Sequence, residues 1–143
     1  GYFIIYCFIV AMEYALKNIL EDFDTKYSHV KAIYDKIATE LEKLDFVEVN
    51  STKSGVPYIL NISTKGIKTS ELQKELEKHE VFVSTKSACC AVNAPSRPIF
   101  AITKDRKRSV NTLRISFSHL TTFEEADRFL KLFAACCKEL TGK

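Results

Sequence analysis

Between residues 113 and 118 the chain alternates without a break, with Leu113, Ile115 and Phe117 on one side and Arg114, Ser116 and Ser118 on the other. A strand sends successive side chains to opposite faces, so this segment requires a sheet with one face in a core and one left open. A lone strand cannot bury its apolar face. The remainder of the chain must supply neighbouring strands and a covering layer.

Helical periodicity supplies the layer. Met12, Leu16, Ile19, Leu20 and Phe23 recur at helical spacing between Glu13, Lys17, Glu21 and Asp22, which predicts a helix over residues 9–23. Ser28 is a suitable N-cap for a second, with Val30, Ile33, Ile37, Leu41 and Leu44 on one face. Further strands are expected at residues 46–49, 58–63 and 81–84, with a polar loop at residues 50–57 holding Gly55 and Pro57. Gly66 marks a turn before a helix over Leu72 and Leu76, for which Ser70 and Gln73 form a capping box. Residues 97–102 suit a short helix with Pro98 in its first turn. Thr122 and Glu125 form a second capping box, opening a last helix towards Leu140. The fold class is α+β, a small mixed or antiparallel sheet packed against helices.

At 143 residues the chain has the size of one domain, enough to bury about 68–70% of its unfolded surface. With 46% hydrophobic and 27% charged residues it reads as a globular chain. A net charge of +3 is too small to point to nucleic acid or an anionic membrane. Five cysteines (Cys7, Cys89, Cys90, Cys136 and Cys137) are an odd set without a spaced framework, which favours a reducing, cytoplasmic setting. The first residue, Gly1, is not expected to be a native translation start. Residues 2–11 are nearly all apolar. They are too few to span a bilayer and lack the basic flank of a signal peptide, so they are expected to form a buried helix or strand.

Chemistry is expected where residues 81–83, an apolar run, empty into Ser84-Thr85-Lys86-Ser87-Ala88-Cys89-Cys90-Ala91. A nucleophilic cysteine needs access and a lowered pKa. Small residues surround Cys89 and give access, and Lys86 is near enough along the chain to stabilise a thiolate. The plainer reading is an ordinary free cysteine in a loop. Cys136 and Cys137 fall with Phe129, Leu130, Phe133 and Leu140 on a helical core stripe, and packing suffices to explain them. Adjacent pairs are poorly spaced for zinc, so no metal site is expected. The run Lys104-Asp105-Arg106-Lys107-Arg108 is read as a solvated turn.

The order Ser84-Thr85-Lys86-Ser87-Ala88-Cys89-Cys90, Pro95-Ser96, a helix, a charged turn and Leu113-Arg114-Ile115-Ser116-Phe117-Ser118 resembles the C-terminal part of NifS-like cysteine desulfurases. These are pyridoxal-phosphate (PLP) enzymes of the class V aminotransferase family. Residues 58–63 with Gly66-Ile67-Lys68, and Thr121-Thr122-Phe123-Glu124-Glu125, resemble the family's preceding strand and final helix. The resemblance implies the small C-terminal domain of a fold-type I transferase over residues 28–143, with residues 1–27 as the junction to a large PLP domain. Cys89 would accept sulfur from L-cysteine as a persulfide, leaving L-alanine, and Arg114 would bind the substrate carboxylate. A planar guanidinium suits that role because it offers two parallel donors; without the motif, Arg114 reads as a surface arginine.

Two residues depart from the family pattern. Lys86 replaces a glycine, so the loop there is expected to be ordered differently. Cys90 replaces a serine, either sharing the persulfide or serving as a tolerated small residue; neighbouring cysteines bridge only with strain. Ser87, Lys86 and Cys90 are thus candidate loop supports. The family's PLP lysine follows a histidine, whereas His29, His79 and His119 precede Val30, Glu80 and Leu120. No cofactor is therefore expected on this chain alone, which should be inactive without an electron sink. The resemblance also implies a homodimer or other self-association, and delivery of sulfur to an iron–sulfur scaffold or tRNA-thiolating protein, with no direct nucleic-acid or membrane contact. Two other readings remain: a PLP-independent sulfur relay through Cys89, and a non-catalytic interaction domain using the 104–108 turn.

Overall fold

The computed structural model describes residues 2–52, 54–85 and 94–142. Among the described residues six helices and three strands follow one another as α1 (Tyr2–Glu21), α2 (Phe23–Glu42), β1 (Val47–Val49), β2 (Ile59–Thr64), α3 (Thr69–Lys78), α4 (Arg97–Thr103), α5 (Arg106–Val110), β3 (Thr112–Ser116) and α6 (Phe123–Thr141). The sheet is antiparallel throughout, in the order β1-β2-β3.

Period-two patterning sorts its residues cleanly. Register pairs Leu60 with Ile115 and Ile62 with Leu113, and all four are buried on one face. The opposite face pairs Asn61 with Arg114 and Ser63 with Thr112, and is polar. The apolar face meets Val30, Ile33, Ile37 and Leu41 of α2, Leu72 and Leu76 of α3, and Phe129, Phe133, Cys136 and Cys137 of α6 in one cluster. Each helix brings residues spaced three or four apart, as a helix packing one stripe must. The short helices α4 and α5 lie on the polar side, where the Ser63 hydroxyl donates to the Arg108 carbonyl (3.0 Å).

The α6 capping box forms as expected. Thr122 Oγ1 accepts from the Glu125 amide (3.1 Å), and Glu125 Oε2 accepts from the Thr122 amide (2.8 Å). The Ser70–Gln73 box does not form. Helix α3 starts two residues earlier, at Thr69, behind an extended Lys68 with no side-chain cap, and Gln73 bonds to Glu77 and Thr85 instead. Gly66 makes its turn at φ +76°, where a Cβ is disfavoured. The α2 helix begins at Phe23 rather than at Ser28, although its first core residue is still Val30.

Residues 81–84 form no strand; only Ser84 bridges to Arg114. Its amide donates to the Arg114 carbonyl (3.0 Å), and the Arg114 amide donates back to Ser84 (2.6 Å). Residues 2–11 also depart from expectation. They are helical, and every side chain of α1 from Phe3 to Glu21 is exposed. The core closes without them, because α2, α3 and α6 already cover the apolar face of the sheet. The stretch Phe3–Glu21, with mean hydropathy 1.7, is long and apolar enough by composition to cross a membrane, although Glu13, Lys17 and Glu21 interrupt it.

Candidate functional site

Strand β3 puts the Arg114 side chain on the polar face, because Leu113 and Ile115 on either side are committed to the core. The guanidinium is exposed, and among the described residues it forms neither a hydrogen bond nor an ion pair. It lines a cleft of about 470 Å³ together with Asn61 and Thr112 from the sheet, Thr85 on one side and residues 94–99 on the other. Thr85 is held from two sides. Its hydroxyl donates to Gln73 Oε1 (3.1 Å), and its carbonyl accepts from Thr112 Oγ1 (3.4 Å). Opposite, the Ser96 amide donates to the Ser109 carbonyl (2.7 Å), fixing the start of α4 against α5.

The charge in this cleft is one-sided. Arg97 and Arg114 line it, and no aspartate or glutamate does so among the described residues. A guanidinium with no partner among the described residues, in a concave site, attracts an anion, and its planar fork matches a carboxylate. The arrangement can hold a small carboxylate-bearing molecule.

Arg114 is the one expected site residue that the structure describes. Cys89, Lys86, Ser87 and Cys90 lie outside the described residues. Thr85 and Ala94, the described residues on either side of that segment, both line the cleft, so the chain enters and leaves it at the site. Among the described residues the lining of the cleft contains no lysine.

Residues 104–107 of the 104–108 run are exposed, as expected of a solvated turn, but the run also opens α5 and its last residue, Arg108, is drawn in. Lys104 closes α4 at φ +56°, Asp105 caps α5 by accepting from the Arg108 amide (3.1 Å), and Arg108 folds back onto the sheet. Arg108 Nε donates to Asn50 Oδ1 (2.7 Å), one terminal nitrogen donates to the Val49 carbonyl (3.0 Å), and the other lies 3.6 Å from Glu48. Asn50 donates in turn to Asn61 Oδ1 (2.8 Å) and Ser63 Oγ (2.7 Å). Sequence reasoning missed Asn50, Asn61 and Arg108. The available signal was an amide between Leu60 and Ile62, at the polar phase of a strand.

Cys136 and Cys137 are buried in α6 as expected. Burial pushes the Cys137 thiol up to about 12, helped by neighbouring Cys136, and burial followed by the nearby Glu75 and Glu139 carboxylates raises Cys136. Both are held as inert thiols. Cys7 is exposed on α1. No cluster suited to a metal ion occurs among the described residues.

Residues 3–129 match the model of the family described as aminotransferase class-V. A NifS/IcsS protein homolog of Lactobacillus delbrueckii subsp. bulgaricus is 30% identical over 87% of this chain and 33% of its own length. Cysteine desulfurase IscS of Pseudomonas fluorescens is 30% identical over 83% of this chain and 30% of its own. Among solved structures, a NifS-like protein superposes with a TM-score of 0.76 at 24% identity, over 88% of this chain and 32% of that one. The cysteine desulfurase CsdA from Escherichia coli, in an S-sulfonic acid form, superposes with a TM-score of 0.66 at 16% identity, over 88% of this chain and 29% of that one. The chain thus spans about a third of the length of these relatives.

Proposed function

Because this chain belongs to the class-V aminotransferase family, we propose that it forms the small C-terminal part of a cysteine desulfurase that converts L-cysteine to L-alanine and carries the sulfur as a persulfide on Cys89. The observation that carries this reading is Arg114. It is an exposed guanidinium with no partner among the described residues, in a cleft bordered by both flanks of the segment that contains Cys89. Arg114 binds the substrate carboxylate through paired N–H donors, and Arg97 adds positive charge at the rim. Cys89 lies four residues beyond Thr85 along the chain.

Breaking the C–S bond of cysteine requires an electron sink. The chain spans about a third of its relatives' length, and the reading places that group on another part of the protein. To this chain it assigns carboxylate binding and sulfur acceptance. Ser87, Lys86 and Cys90 are assigned to support of the loop. The persulfide sulfur then passes to an acceptor protein, for iron–sulfur assembly or tRNA thiolation, in a cytoplasmic homodimer.

The test is alanine release from L-cysteine by the protein at its natural length, with the persulfide read by mass spectrometry. Cys89→Ala should abolish the persulfide, and Arg114→Ala should raise KM about tenfold or more through loss of a charge-assisted contact. A Cys89→Ala protein that still carries a persulfide on the same tryptic segment at wild-type level would overturn the reading.

A further inference from the structure

The amide orientations behind the cleft are fixed by one group that can only donate. Arg108 is a guanidinium without acceptor capacity, and its Nε lies 2.7 Å from the Asn50 amide. The atom facing it must therefore be Asn50 Oδ1, which turns Asn50 Nδ2 towards Asn61 and Ser63. Ser63 agrees with this sense. Its hydroxyl proton is spent on the Arg108 carbonyl (3.0 Å), so towards Asn50 it accepts.

Both Asn50 Nδ2 protons are then used, and Asn61 must present Oδ1 to Asn50 (2.8 Å). The end of Asn61 left over is its donor, Nδ2, which bonds to nothing among the described residues. No described buried side-chain nitrogen or oxygen lacks a partner, so this nitrogen is not sealed inside the protein. Asn61 lines the cleft and stands opposite Arg114 in the β2–β3 register. Side chains paired in this way lie about 4.5–5.5 Å apart at Cβ, a spacing that one carboxylate can bridge.

We propose that Asn61 Nδ2 is a second donor to the carboxylate held by Arg114, and that Arg108 and Asn50 are positioning residues that keep that donor end turned to the cleft. This rests on the carboxylate-binding reading of Arg114 and adds a specificity device. A polarised chain from Arg108 through Asn50 to Asn61 makes the site all donor, accepting a carboxylate and rejecting its carboxamide isostere.

The test is a two-dimensional NMR titration of the 143-residue chain with acetate, and with acetamide as the neutral isostere. The Asn61 side-chain NH2 and the Arg114 Nε–H should shift together with one saturation midpoint for acetate, and neither should saturate with acetamide. Asn61→Ala should weaken acetate about tenfold, the worth of one hydrogen bond to a charged group in a partly wet site. Asn50→Asp keeps the acceptor for Arg108 but can no longer donate to Asn61. The Asn61 amide then turns its NH2 to residue 50, and that resonance should stop responding to acetate.

If Arg114 responds to acetate while the Asn61 NH2 does not, or if Asn61→Ala binds as tightly as wild type, the role of Asn61 is overturned and that of Arg114 stands. If Arg114→Ala binds acetate as tightly as wild type, or neither group shifts, the carboxylate reading itself fails. The wild-type titration alone separates these results, even if a variant folds poorly.

Discussion

Replacing Arg108 by Met keeps the aliphatic stem and removes the guanidinium that joins α5 to β1. Two charge-assisted hydrogen bonds are lost, to Asn50 Oδ1 (2.7 Å) and to the Val49 carbonyl (3.0 Å). Such bonds contribute about 1.5–3 kcal/mol each when well buried. The Arg108 side chain is 24% exposed, so water replaces part of the loss. The contact to Glu48 at 3.6 Å, between two partly exposed groups, adds less than about 1 kcal/mol. The expected cost is about 2–4 kcal/mol, or a fall of about 1–2 M in the urea midpoint at a slope near 2 kcal/mol/M.

Arg108→Lys keeps the charge but loses the fork, and should recover no more than about half of this. A double-mutant cycle with Glu48→Gln should show coupling below about 1 kcal/mol, which assigns the cost to the backbone and Asn50 contacts. The assay is equilibrium urea unfolding followed by circular dichroism. An Arg108→Met midpoint within experimental error of wild type would refute the reasoning and leave Arg108 as solvated as residues 104–107.

Thr122→Ala removes the acceptor for the Glu125 amide at the start of α6 and should cost about 1 kcal/mol, lowering Tm by about 3–4 °C; an unchanged Tm in calorimetry would show the cap to be idle. The Cys137 thiol is raised from 9.0 to about 12 by burial, so above pH 9 the unfolded chain ionises it and the folded chain does not. Stability should therefore be unaffected by this group below pH 9 and fall towards pH 12 by up to about 1.4 kcal/mol per unit, a slope that Cys137→Ala should flatten in pH-dependent urea titrations. In native protein at pH 8, Cys136 and Cys137 should resist alkylation while Cys7 reacts, and labelling of all three at one rate would contradict their burial. Helix α1 exposes Phe3, Ile5, Phe8 and Ile9, a larger apolar surface than a monomer ordinarily carries, so the isolated chain should self-associate; a monodisperse monomer in sedimentation velocity would rule this out.

The sheet and its coverings were legible because they depend on local rules. Leu113, Ile115 and Phe117 declare their face by period two, and Val30, Ile33, Ile37 and Leu41 declare theirs by helical spacing. The α6 cap was legible because Thr122 and Glu125 need only each other. The Ser70–Gln73 pair fits the same capping pattern and failed, since α3 starts ahead of it at Thr69 and Gln73 bonds to Glu77 and Thr85. Residues 81–84 have strand composition, but a strand needs a ladder, and only Ser84 meets β3.

Arg114 could be placed from sequence because alternation alone turns it away from the core, and the surrounding motif marked it. That motif also placed Cys89, whose role remains a proposal tied to its position along the chain. What sequence could not reveal was Arg108 beside Asn50, 58 residues apart, or Asn50 beside Asn61 across the sheet. The first pairing exists only once α5 has packed on the polar face, and the second only once β1 has paired with β2. The sequence by itself therefore determined which side chains face the core and which face the cleft, since periodicity is a property of the local backbone. The tertiary structure decided which end of Asn61 looks into that cleft, because an amide is oriented by the donors and acceptors that distant segments bring to it.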